Sequence, residues 1–139
     1  MQNAALNMPL FPNAAFDFVA IASSAGGLTA LRQVLTCLPV GFLAAIAIVQ
    51  HTDPQGNSLL PGILGRCCRL LVKQAENGES LHAGTVYIAR PNYHLLISPD
   101  ASVVLSQSER VNFTRPAADL LFTSGAKCFK QRAIGVVLT

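Results

Sequence analysis

The sequence has few charged residues and no run of basic ones. Charged side chains make up 12% of the 139 residues, whereas hydrophobic residues make up 51%. This composition excludes a disordered chain and predicts a compact domain with a hydrophobic core. The net charge is +3 and the ten Lys and Arg residues are scattered, so we expect no binding to nucleic acid. A mild positive balance suits an acidic partner.

Cysteine pairs with metal-site spacing are also lacking. The four cysteines are Cys37, Cys67, Cys68 and Cys128. They do not form the C-x-x-C pairs typical of zinc sites, and no zinc-type spacing links the three histidines. The low density of cysteine predicts a reducing compartment, in which the thiols serve as small buried apolar groups.

Long hydrophobic runs are absent as well. Residues 34–49 carry no charge, but Pro39 and Gly41 interrupt them. A membrane-spanning helix needs about 20 predominantly apolar residues, so we expect a helix end, a turn and a buried strand here, and no membrane insertion. Residues 1–15 lack the basic and apolar regions of a secretion signal. They are predicted to be a flexible lead-in to one domain at residues 16–139.

Continuous apolar runs of strand length alternate with helical patterns along the chain. Strands are predicted at residues 16–22, 44–50, 70–74 and 133–139, the last of them buried, and helices at 28–38, 58–66 and 117–129. Short β-type runs at 86–89, 95–98 and 103–107 suggest a hairpin attached to the sheet, with a turn at Pro99 and Asp100. The predicted fold class is α/β, a doubly wound and mostly parallel sheet with helices on both faces and an added β-hairpin.

The stretch Ser-Ser-Ala-Gly-Gly at residues 23–27 joins the first strand to the first helix and allows three interpretations. As a phosphate-binding turn it lacks the usual first two glycines, and Gln50 and His51 stand where an acidic residue is expected. As a nucleophile turn it would present Ser24 above the sheet, with His51 as general base at the end of the next strand. As a simple turn it would only cap the following helix.

No carboxylate in the sequence is a convincing third member of a catalytic triad. Asp119 is expected at the start of a helix, where it favours the positive end of the helix dipole. His82 and His94 do not follow continuous apolar runs and are expected to have no catalytic role. The carboxylates considered are Asp17, Asp53, Glu76, Glu79, Asp100, Glu109 and Asp119.

Five segments together resemble the catalytic domain of CheB-type chemotaxis methylesterases over residues 16–139. They read VAIASSAGG, IVQH, GTVYIARPNYH, TRPAADLLFTSGA and AIGVVLT, in that order. The family's turn, Gly-Ala-Ser-Thr-Gly-Gly, aligns with residues 22–27 and places its nucleophile on Ser24. Its histidine falls on His51. Two departures are Ala22 in place of a glycine and Ala25 in place of a threonine.

The resemblance implies hydrolysis of γ-glutamyl methyl esters, with release of methanol, and in some members glutamine deamidation. The expected partners are the cytoplasmic helices of methylated chemoreceptors, together with a fused or separate receptor methyltransferase. It implies a cytoplasmic serine hydrolase of bacteria that needs no metal or organic cofactor.

The family's triad aspartate lies in a glycine-rich loop after the strand that ends here at Thr139. By that alignment the chain stops about five residues short of it, so we expect a C-terminally truncated domain with weak or no activity. A receptor-docking module without catalysis and a nucleotide-binding domain remain the alternatives.

Overall fold

The computed structural model describes residues 14–50 and 59–139. In chain order the elements are β1 (Phe18–Ser23), a short 3₁₀ turn (Ala25–Gly27), α1 (Leu28–Thr36), β2 (Ala45–Gln50), α2 (Leu60–Cys67), β3 (Leu71–Gln74), β4 (Thr85–Ile88), β5 (His94–Ile97), β6 (Val103–Ser106), α3 (Ala118–Phe129), a second 3₁₀ turn (Lys130–Arg132) and β7 (Ala133–Leu138). The N-terminal part of the predicted lead-in and the first residue of the predicted helix at 58–66 lie outside the described residues.

Five strands form one parallel sheet in the order β3-β4-β2-β1-β7. The α/β class, the parallel sheet and the added hairpin are therefore confirmed. Residues 86–89 were expected to belong with the hairpin region, and this expectation is wrong. They largely form β4, which lies between β2 and β3 and is buried along its whole length. Its short apolar run is that of a strand covered on both faces.

Each face of the sheet has its own apolar core, because successive side chains of a strand point to opposite faces. On one face Ala45, Ala47 and Val49 of β2 join a cluster that includes residues of α3 and the hairpin. On the other face Ile46 and Ile48 join a cluster that includes residues of α1 and α2. Helices on both faces are the predicted arrangement.

Helix α3 lies close to β1 because one of its core positions has no side chain. A Cβ atom on Gly125 would lie 2.6 Å from the Phe18 ring. The same ring stacks on Phe129, with 4.9 Å between ring centroids. Gly125 therefore allows the helix to contact the sheet at a distance that alanine would prevent.

Strands β5 and β6 form a separate two-stranded antiparallel sheet. Within the described part of the chain this hairpin does not pair with the parallel sheet; it is attached to the domain by packing and by hydrogen bonds, including backbone bonds between residues 78–81 and residues 101–103. Leu95 and Ile97 pack in the α3-side core. The backbone N–H of Ile97 also donates to Ser124 Oγ of α3, at 2.9 Å.

Strand β7 is not fully buried, contrary to the sequence-based expectation. Its residues alternate between half-buried and exposed, and Val137 is 66% exposed. The strand is last in the sheet order and pairs with β1 on one side. An apolar run indicates a strand but does not reveal whether the strand is central or at an edge.

The four cysteines are free thiols. Only Cys128 is buried, and burial raises the pKa of its thiol, which favours the neutral form. Cys37 is exposed, and Cys67 and Cys68 are half-buried. The expectation of buried thiols therefore holds for one cysteine of the four.

Candidate active site

Ser24 lies immediately beyond the carboxyl end of β1 and before the 3₁₀ turn. Its backbone is extended, its N–H donates to the carbonyl of Leu138 at 3.2 Å, and its own carbonyl accepts from the N–H of Gly27 at 2.8 Å. Its hydroxyl caps neither following helix and makes no hydrogen bond with any described residue. The helix-cap interpretation of the turn therefore finds no support, and Ser24 is a half-buried residue.

Ser23 has a different environment from its neighbour. It is 4% exposed, and its hydroxyl donates to the carbonyl oxygen of Ser24 at 3.2 Å. The side chain of the second serine in the turn is thus the more accessible of the two.

The predicted base, His51, lies outside the described residues. The strand that precedes it does not: β2 ends at Gln50 and pairs in parallel with β1, with Ser23 opposite Gln50. The two strands are therefore neighbours in the sheet, as the nucleophile interpretation requires. In the sequence, Ser24 directly follows Ser23 and His51 directly follows Gln50, and Ser23 and Gln50 are opposite each other in the sheet.

A cleft of about 310 Å³ opens at this edge of the sheet. Its walls come from five parts of the chain: the end of β1, the end of β2, the end of β7, residues 112 and 114, and the first turn of α3. The residues that line it include Ser24, Val49, Asn112, Thr114, Asp119 and Thr139. Carboxyl ends of parallel strands are where α/β sheets usually carry their sites.

Asp119 is the carboxylate that the sequence did not connect with Ser24. It lies in the first turn of α3, as predicted, and it also lines the cleft. Its Oδ2 accepts a hydrogen bond from Asn112 Nδ2 at 3.1 Å. No local spacing could reveal this proximity, because the two residues are far apart in the chain and meet only through the tertiary fold.

The other two histidines do not line this cleft. His94 is completely buried, and its Nδ1 accepts the backbone N–H of Ala117 at 3.1 Å. Its Nε2 therefore carries the proton and donates to the carbonyl of Glu109 at 2.9 Å. His82 is exposed. Both ring nitrogens of His94 are thus occupied by backbone hydrogen bonds that connect β5 with residues 109 and 117.

Among residues 14–50 and 59–139 no group of His, Cys, Asp and Glu side chains has an arrangement that could hold a metal ion. In the same part of the chain no helix has the length and apolar character needed to cross a membrane.

The sequence and the fold both match one family. The family model described as CheB methylesterase matches residues 19–139. This chain belongs to the CheB methylesterase family. Its fold matches the crystal structure of the Thermotoga maritima CheB methylesterase catalytic domain, with a TM-score of 0.83 and 34% sequence identity, over 89% of this chain and 67% of that one.

Individual CheB relatives give the same result. A Leptospira interrogans protein, named as a candidate protein-glutamate methylesterase/protein-glutamine glutaminase, is 40% identical over 124 residues, which are 89% of this chain and 64% of that protein. The Maricaulis maris protein-glutamate methylesterase/protein-glutamine glutaminase is 40% identical over 126 residues, which are 88% of this chain and 31% of that protein. The chain thus spans less than two thirds of the length of these relatives.

Proposed function

We propose that this chain carries the nucleophile part of a protein-glutamate methylesterase that also acts on glutamine side chains. The observation that supports it most directly is the position of Ser24, which lines a cleft at the carboxyl edge of the sheet and whose hydroxyl makes no hydrogen bond with a described residue, in a chain of the CheB methylesterase family. The names of the relatives supply the reaction. The proposed substrates are the cytoplasmic helices of methylated chemoreceptors, and the proposed location of the protein is accordingly the cytoplasm.

In the proposed mechanism His51 takes the proton of Ser24 as the hydroxyl oxygen attacks the γ-carbonyl of a glutamyl methyl ester. The tetrahedral intermediate forms above the start of α1, where backbone N–H groups favour negative charge. Methanol leaves with the proton from His51, and water then hydrolyses the glutamyl ester on Ser24. With a glutamine substrate the leaving group is ammonia.

The acid that orients His51 is proposed to follow β7, beyond Thr139. The end of β7 supports this, because Leu138 and Thr139 line the cleft. A chain that lacks the acid should be slower by up to about 10⁴-fold, since the acid holds the histidine in the required tautomer.

The test is methanol release from a methylated receptor helix bundle. We would compare this chain, a version extended by about 60 residues, and the extended Ser24→Ala and Ser23→Ala variants. We expect Ser24→Ala to reduce turnover at least about a thousandfold, whereas Ser23→Ala should keep most of it because Ser23 is buried.

Two results would contradict the proposal. Equal turnover by the extended chain and its Ser24→Ala variant would remove Ser24 from the chemistry. Receptor binding without any turnover by the extended chain would identify a docking module and not an esterase.

A further inference from the structure

A tight turn at the rim of the cleft displays a bulky aromatic side chain. Val111 and Thr114 exchange both backbone hydrogen bonds at 3.0 Å, and the two residues between them have positive φ, 52° for Asn112 and 65° for Phe113. Asparagine adopts this left-handed conformation readily, but phenylalanine rarely does, because its Cβ crowds the backbone. The position of Phe113 is therefore maintained at a conformational cost.

No packing within the described part of the chain offsets this cost, since Phe113 is 96% exposed. Three residues earlier, Arg110 is also exposed and makes no ion pair with a described residue. The turn thus presents an apolar ring to the surroundings, and just before it Arg110 presents a positive charge that pairs with no described carboxylate.

Hydrogen bonds within the turn and at the residue that follows it fix the course of the backbone. Arg115 donates from Nε and Nη2 to Asn92 Oδ1, at 3.0 and 2.8 Å, and from Nη1 to the carbonyls of Gln107 and Ser108, both at 3.1 Å. Thr114 Oγ1 donates to the carbonyl of Val111 at 2.9 Å. Binding through such a segment requires little further ordering of the backbone, and a phenylalanine side chain has only two rotatable bonds to fix, which are properties of a binding anchor.

Phe113 lies between two residues of the candidate active site. Asn112 and Thr114, the two neighbours of Phe113, both line the cleft that contains Ser24. A small ester would bind within the cleft and leave the ring untouched. Only a large substrate would reach from the cleft to the rim.

We propose that Phe113 is a docking residue for the protein substrate. It packs against the apolar side of the helical segment whose glutamyl ester enters the cleft, while Arg110 contacts acidic side chains of the same segment. This inference rests on the proposed function, because that function makes the occupant an acidic, glutamate-bearing helix.

The test measures the affinity of Ser24→Ala chains for a methylated helical fragment of a receptor cytoplasmic domain. Phe113→Asn removes the ring and keeps a residue that accepts positive φ, and Phe113→Tyr keeps the ring. The control is Leu71→Ala, which truncates an exposed apolar residue on β3, a strand distant from the cleft in the sheet order. We expect Phe113→Asn to weaken binding about tenfold or more, and Phe113→Tyr and Leu71→Ala to stay within about twofold.

Several outcomes would overturn the inference: no binding of the fragment by the Ser24→Ala chain, equal binding by the Phe113→Asn variant, or a tenfold loss with Leu71→Ala as well. Sedimentation that shows a dimer lost in Phe113→Asn would assign the ring to a contact between two copies of the chain. Methanol release by the extended chain separates this inference from the proposed function. Ser24-dependent turnover with the same KM in the Phe113→Asn variant would leave the esterase standing and remove the docking role.

Discussion

The candidate nucleophile turn requires a residue without a side chain at Gly27. A Cβ atom there would lie 2.5 Å from Ser23 Oγ and 2.9 Å from the carbonyl oxygen of Leu138. Gly26, one position earlier, has nothing within 4 Å of its hypothetical Cβ. The second glycine of the pair is thus required for close packing of the turn against the end of β7.

We expect Gly27→Ala to lower the free energy of unfolding by about 1–3 kcal/mol, because the turn must move away from Leu138. Gly26→Ala is the matched control and should change it by less than about 0.5 kcal/mol. Urea unfolding followed by circular dichroism measures both. Equal losses in the two variants would show that the backbone, and not the contact, decides the effect.

At the scale of elements, His94 joins three segments that are separate in sequence. The residue begins β5, and its ring binds the backbone of Glu109 in the cleft-side loop and of Ala117 just before α3. One buried imidazole therefore connects the loop that leads to the turn at Val111–Thr114 with the residue that precedes α3, the helix of Asp119.

Replacing this ring leaves a buried N–H and a carbonyl without partners. We expect His94→Leu to lower the free energy of unfolding by about 2–4 kcal/mol, since each unsatisfied group costs about 1–3 kcal/mol. His82→Leu, at an exposed position, should change it by less than about 0.5 kcal/mol. Thermal or urea unfolding of the two variants checks the difference, and a similar stability of both would remove the structural role of His94.

At the scale of the whole molecule, one ion pair ties the start of β1 to the approach of β7. Arg132 donates to both carboxylate oxygens of Asp17, from Nε at 3.0 Å and from Nη2 at 3.1 Å, and to the carbonyl of Ala14. The Asp17 side chain is 3% exposed and that of Arg132 27%. Asp17 directly precedes β1 and lies at the edge of the sheet opposite the cleft, and its pairing with Arg132 was not predicted from the sequence.

We expect Arg132→Met to lower the free energy of unfolding by about 2–4 kcal/mol, because a buried carboxylate loses two charge-assisted hydrogen bonds. Lys73→Met is the control: Lys73 pairs with Glu76 and Glu79 near the surface, and such pairs contribute about 0–1 kcal/mol. Urea unfolding compares the two. A loss with Lys73→Met as large as that with Arg132→Met would show that burial does not distinguish the pairs.

The boundaries of the main elements were predictable to within a few residues because their signals are local. The helical period at residues 28–38 corresponds to α1, in which Leu31 and Leu35 are completely buried. The apolar run at 44–50 corresponds to β2. The place of β4 inside the sheet and the exposure of β7 were not predictable, since strand order depends on distant segments.

The candidate site also combines features that the sequence predicts with features that depend on the tertiary fold. The sequence by itself determined the strand-turn-helix at Ser24, the family and the α/β class, because these follow from local motifs and from their order along the chain. Only the tertiary structure brought Asp119 and the rim turn with Phe113 to the same cleft as Ser24, and only it buried His94 and Asp17. Those relations arise from contacts between distant segments, which packing and hydrogen bonding select and which no local pattern encodes.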